Sequence, residues 1–145
     1  MKRIVYKFTV PGAPKGKARP RMMRTGHTYT PEGTAVYENL VKVSFMNEYP
    51  DTVPFDGPVT ASVAAYFPIP KSWSKKKKAL AELNWIHPMG KPDIDNILKI
   101  VFDGLNGVAF TDDAHVVRLK DCSKEYSIQP RVDIILEFEV NNESN

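Results

Sequence analysis

Between Asp93 and Asn106 the apolar residues Ile94, Ile97, Leu98, Val101, Phe102 and Leu105 stand at i, i+3, i+4, i+7, i+8 and i+11. At the helical repeat they fill one arc of roughly 140°, the pattern of a helix that buries one side and wets the other. Such a stripe needs a second layer to cover it, and three segments that alternate every second residue are placed to form one. Lys2 to Val10 sets Ile4, Tyr6, Phe8 and Val10 against Val5, Lys7 and Thr9. Val59 to Phe67 is apolar on nearly every position and suits the centre of a sheet. Arg131 to Val140 sets Val132, Ile134, Leu136, Phe138 and Val140 against Asp133, Ile135, Glu137 and Glu139.

Shorter strands are expected at Val108 to Phe110 and Val116 to Lys120. A helix is expected over Thr34 to Tyr49, with Val36, Leu40, Val43 and Met46 or Asn47 on its inner side, between Thr30-Pro31-Glu32-Gly33 and Pro50. Ser72 or Ser74 can cap a short helix from Lys75 to Leu83. The order β, loop, α, β, α, α, β, β, β predicts an α+β fold with helices covering a mixed or antiparallel sheet. No repeat or linker divides the 145 residues, so one domain is expected, with a basic loop over 12–31 and a frayed tail over 141–145.

Charge is divided unevenly along the chain. The first thirty residues hold Lys2, Arg3, Lys7, Lys15, Lys17, Arg19, Arg21 and Arg24 and no acid, while the other 115 sum to −5. Their acids include the group Asp93, Asp95, Asp103, Asp112 and Asp113. A basic arm attracts polyanions, and clustered carboxylates repel them unless a cation intervenes, so the pair points to a phosphate substrate with a metal between. The longest apolar run, around Val63 to Phe67, is far too short to span a membrane. The single cysteine, Cys122, excludes an internal disulfide or a thiolate cluster. The N-terminus runs into strand-like sequence with no signal-peptide pattern, so a cytoplasmic protein is expected.

On the Asp93 to Asn106 helix the wet arc carries Asp93, Asp95, Asn96, Lys99, Asp103 and Asn106, with Asp95, Lys99 and Asp103 at i, i+4 and i+8. Asp112-Asp113 follows a glycine turn that can return it to the first helical turn. Two or three carboxylates so gathered suit Mg²⁺, which takes one or two carboxylates plus waters and phosphate oxygens and can activate water for phosphodiester hydrolysis. Lys99 would place a positive charge near the scissile phosphate. Each part has a plainer reading beside it. Acids at a helix N-terminus cap free N–H groups, Asp112-Asp113 makes a turn, and Asp103 pairs with Lys99 one turn back. A calcium loop of the EF-hand type is excluded, because Leu98 and Gly104 stand where it requires Gly and Glu.

The run Lys91-Pro92-Asp93-Ile94-Asp95-Asn96-Ile97-Leu98-Lys99, continued by Asp103-Gly104-Leu105 and closed by Val108-Ala109-Phe110-Thr111-Asp112-Asp113, resembles the RusA family of Holliday junction resolvases. That family shows a Pro-Asp-x-Asp-Asn-x-x-Lys helix, an Asp-x-Leu, and a hydrophobic turn ending in Asp-Asp. Val10-Pro11-Gly12 with Lys15, Lys17, Arg19-Pro20-Arg21 and Tyr29-Thr30-Pro31 is similar to the basic loop of its phage and prophage branch. The resemblance implies a RusA-like fold and a homodimeric, Mg²⁺-dependent endonuclease of DNA recombination and repair, with Mn²⁺ as a substitute ion. It would cut two opposed strands of a four-way junction. By position the resemblance implies Asp93, Asp95 and Asp113 as catalytic carboxylates and metal ligands, Asp112 as a further metal candidate, Lys99 as the catalytic lysine, and Asp103 in a structural or supporting role.

Lys15, Lys17, Arg19, Arg21 and Arg24, spaced by small residues and prolines, are expected to track DNA phosphates. Lys75 and Lys76 of the Lys75–Lys78 run, with Lys120 and Lys124, are further DNA candidates. His27, His87 and His115 lack metal-ligand spacing, and His87 is expected nearest the site. Trp73 and Trp85 flank the lysine run and suit core packing. Two other readings remain: a DNA-binding or architectural module without catalysis, in which the acids are only caps, and a metal nuclease for other branched DNA.

Overall fold

The computed structural model describes residues 2–18, 21–29 and 32–140, with Arg21 and Tyr29 described by backbone alone. The expected tail at 141–145 lies outside these residues. Alternating sequence becomes strand at β1 (Lys2–Pro11), β4 (Val59–Pro68) and β6 (Arg131–Val140). The Val116 strand is longer than expected and forms β5 (Val116–Ser127). These four make a mixed sheet in the order β1-β6-β4-β5, antiparallel except for the parallel β4–β5 pair. Val59 therefore lies opposite Phe138, Ala61 opposite Leu136 and Val63 opposite Ile134, while Phe8 also faces Ile134. Because side chains alternate, this register gathers Phe8, Val10, Val59, Ala61, Val63, Ala65, Val132, Ile134, Leu136 and Phe138 on one buried face.

Three helices accompany the sheet: α1 (Glu32–Glu48), α2 (Lys75–Glu82) and α3 (Ile94–Leu105). Ser74 caps α2, its Oγ accepting the Lys77 N–H at 3.2 Å, as one of the two expected serines. On α3 Ile97, Val101 and Leu105 of the expected stripe are buried and Leu98 and Phe102 half-buried, while Ile100 and Gly104, outside that stripe, are buried as well. Ile94 is exposed at the first turn.

The inner side of α1 differs from expectation. It is Thr34, Tyr37, Val41 and Phe45, whereas Val36, Val43 and Met46 are exposed and Leu40 is half-buried. The aromatic residues decide the rotation: Phe45 meets Phe8 at 5.3 Å and Tyr6 at 5.8 Å in edge-on contacts, so turning Val36 inward would expose two large rings. Val41 then sits over Gly104, where α1 crosses α3.

The loop expected over 12–31 contains a small hairpin, β2 (Arg21–Met22) with β3 (Thr28–Tyr29). Two residues per strand are too few for a periodic signal. Val108 to Phe110 is not a strand; Phe110 forms single bridges with Phe55 and Asn106. Among the described residues no helix is long and apolar enough to cross a membrane.

Candidate active site

The first turn of α3 begins where Ile97 N–H donates to the Asp93 carbonyl at 3.1 Å. Asp93 occupies the N-cap position with extended backbone, yet its carboxylate makes no capping hydrogen bond. The capping explanation therefore fails for Asp93, whose carboxylate has no hydrogen-bond partner among the described residues at the positive end of the helix. Asp95 and Lys99 follow on the same side, both exposed. Asp93, Asp95, Asn96, Lys99, Asp103 and Asp113 line one open hollow of about 620 Å³, together with Lys17 and Ala18 of the basic arm.

The two aspartates of the Asp112-Asp113 pair part company. A single 3₁₀ turn runs over Asp113–His115, and Asp112 caps it, accepting the Ala114 N–H at 3.0 Å. That backbone hydrogen bond, reinforced by one from Asp113, holds the Asp112 carboxyl below the usual carboxylate range. Asp112 caps the turn through one oxygen and lies beside Asp113, which lines the hollow where Asp112 does not. Asp113 faces the hollow, and its carboxyl is pushed upward by burial, by its hydrogen bond with Asp112 and by the nearby charge of Asp103. Upward pressure of this kind is what a cation relieves.

Asp103 does not take Lys99 as its partner. It meets Lys17 of the arm, whose ammonium lies 2.9 Å from Asp103 Oδ2 and 2.9 Å from Glu38 Oε1 of α1. The Lys17 N–H donates to the Asn96 carbonyl at 3.1 Å, and the Ala18 N–H to Thr34 Oγ1 at 3.3 Å. Gly16 packs so closely on α3 that a Cβ there would lie 2.6 Å from Pro92 Cβ. Burial works against the charge of Lys17, but the hydrogen bonds and charges of Glu38 and Asp103 outweigh it and raise its pKa. The expected DNA role of Lys17 thus competes with two carboxylates of the protein, Glu38 and Asp103, at the edge of the hollow. Nothing in a run of basic residues distinguishes the one that turns inward, and Glu38 carries no local signal either.

The other basic candidates are dispersed. Lys15, Arg24, Lys75 and Lys76 are exposed, whereas the Arg19 side chain and that of Arg21 lie outside what is described. Lys120 approaches Glu137 at 3.8 Å, and Lys124 donates to the Gly90 carbonyl at 2.6 Å, tying the segment before Asp93 to β5. His87 pairs with Glu125 at 3.0 Å and does not line the hollow. Trp73 packs edge-on to Tyr126 at 5.2 Å as expected of a packing residue, but Trp85 is 75% exposed, so core packing is wrong for it. A turn through Asn84, at φ 61°, follows α2 and carries Trp85 outward.

Among the described residues no three His, Cys, Asp or Glu side chains close into a metal cage. An open set of carboxylates nevertheless fits Mg²⁺, which completes its octahedron with water and substrate phosphate. Asp93 with no capping bond, exposed Asp95 and crowded Asp113 supply hard oxygen donors of that kind around one hollow.

Comparison with known proteins places the chain in a family. A family model described as "Endodeoxyribonuclease RusA" matches residues 11–137. The chain is also 42% identical over 135 residues to "Uncharacterized protein YqaN" of Bacillus subtilis (strain 168), covering 90% of this chain and 94% of that one. The family match runs from the last residue of β1 into β6 and takes in every residue of the hollow, and the chain belongs to the RusA family of endodeoxyribonucleases, Holliday junction resolvases that hydrolyse DNA.

Proposed function

We propose that this resolvase makes paired, symmetric nicks in a four-way junction as a Mg²⁺-dependent homodimer of the cytoplasm, with Asp93, Asp95 and Asp113 holding the ion and Mn²⁺ able to replace it. The observation that carries the proposal is the Asp93 carboxylate, which sits at an N-cap without capping and lines the same hollow as Asp95, Asp113 and Lys99. When bound, the ion would lower the pKa of a water nucleophile and offset charge on the phosphate. The protein's own groups account for the rest. Lys99, one turn beyond Asp95, offers its ammonium to the charge that builds on the phosphate oxygens. Exposed Lys15 and Arg24 hold the backbone of an adjoining arm, and the Asp112 cap keeps Asp113 turned into the hollow. A two-fold dimer would present two such hollows to a two-fold junction.

The test is cleavage of a synthetic four-way junction beside a matched linear duplex, with Mg²⁺ or EDTA, by the wild type and Asp95→Asn. Paired nicks confined to the junction, dependent on Mg²⁺ and lost in the variant, are expected. Equal cutting of the linear duplex overturns the junction assignment, and cutting in EDTA overturns the metal site.

A further inference from the structure

We infer that Lys17 is a positioning residue that serves as a fixed internal cation of the active site, withholding Asp103 from the metal and mooring the basic arm to α3. The inference rests on the metal-site reading above and deepens it. Five acidic or amide side chains of the hollow, Asp93, Asp95, Asn96, Asp103 and Asp113, compete for any cation that enters. Left free, Asp103 would be a fourth carboxylate in that set, and Glu38 stands behind it across the α1–α3 contact. Lys17 answers both at 2.9 Å.

The Lys17 side chain departs from a backbone that is held against both helices. That backbone is bonded to the Asn96 carbonyl, the next residue to Thr34, and Gly16 before it lies against Pro92 and Asn96. Lys17 and Asp103 are both largely shielded, with side-chain exposures of 22% and 32%, so the pair is less screened than one on the open surface. Lys17 thereby does two things through other residues. It keeps Asp103 turned toward the arm, leaving Asp93, Asp95 and Asp113 as the carboxylates that face the hollow without an ammonium partner among the described residues. It also fixes where the basic arm departs, because the chain beyond Ala18 leaves from a point bonded to α1 and α3.

A purely structural lysine and an internal cation predict opposite signs for metal binding. Removing a structural prop loosens the ligands and weakens the metal, whereas removing a nearby positive charge and freeing a carboxylate tightens it. The experiment is Mn²⁺ titration of the full protein without DNA, followed by electron paramagnetic resonance, with thermal melts for folding and junction cleavage alongside. In Lys17→Met, Mn²⁺ is expected to bind about 10-fold more tightly, a shift of about 1.4 kcal/mol, while cutting slows. Lys17→Arg is expected to keep wild-type affinity. The double variant Lys17→Met with Asp103→Asn removes the freed carboxylate and is expected to return close to it, which also provides a reading should the stranded charges prevent Lys17→Met from folding. Unchanged or weaker Mn²⁺ binding in folded Lys17→Met overturns the inference, as does tightened binding that persists in the double variant. Absence of Mn²⁺ binding in the wild type instead overturns the metal site itself.

Discussion

A Cβ built on Gly104 would lie 2.8 Å from the Glu38 carbonyl oxygen, so α1 and α3 cross at backbone contact. The same substituent would meet Val41 Cβ at 2.9 Å. Neither neighbour is the tip of a flexible chain, and the glycine sets how near Glu38 comes to Asp103.

Gly104→Ala must therefore push the helices apart. Overpacking of this sort costs about 1–3 kcal/mol, which for a chain of this length lowers Tm by roughly 2–10 °C. Thermal unfolding by circular dichroism is the measurement, and an unchanged Tm would show that the crossing yields without cost.

The different fates of Asp112 and Asp113 give a direct contrast. Asn can cap as Asp does, so Asp112→Asn is expected to retain cleavage within a few-fold. Asp113→Asn and Asp95→Asn are expected to lose more than about 100-fold, beyond the cost of disturbing an outer contact to a metal. Junction binding should persist or tighten in Asp95→Asn, because one negative charge facing phosphate is gone. Rates on a labelled junction, with gel-shift affinities, decide both points.

Phosphate contacts by the arm are read from salt dependence. Arg24→Ala and Arg19→Ala are each expected to weaken junction binding and to reduce the slope of log K against log salt by about one contact's worth. Equal slopes for wild type and both alanine variants would remove the arm from the DNA interface.

The Lys17 pair also has a pH signature. Its folded pKa is raised above the ordinary 10.5, first against burial and then by Glu38 and Asp103. A raised pKa contributes stability that is complete below the unfolded value and is lost as pH rises through the folded one. The stability difference between wild type and Lys17→Met, measured by urea melts, is expected to hold level from about pH 7 to 10 and to shrink only above that. A difference that fades between about pH 5 and 8 would belong to other groups.

Much of the site was legible before any coordinates. Asp93, Asp95 and Lys99 stand on the arc that the apolar stripe of α3 leaves wet, Asp113 is marked by the family motif, and all four line the hollow. The α1 face was misread because periodicity weighed Val36 and Val43 like any apolar residue, whereas burial favoured the rings of Tyr37 and Phe45. The family motif marks Asp113 ahead of Asp112, but the capping role of Asp112 is set by the direction of the 3₁₀ turn.

By itself the sequence determined the amphipathic α3, the alternating strands, the uneven charge and the family motif, because periodicity and spacing are local properties of a chain. Tertiary structure alone decided that β4 and β5 run parallel, that α1 presents Phe45 inward, and that Lys17 turns from the arm toward Glu38 and Asp103. These outcomes depend on the energy of packing and charge between segments far apart in sequence. Lys17 lies 21 residues from Glu38. Asp103 belongs to yet another helix, and only the crossing at Gly104 brings all three together.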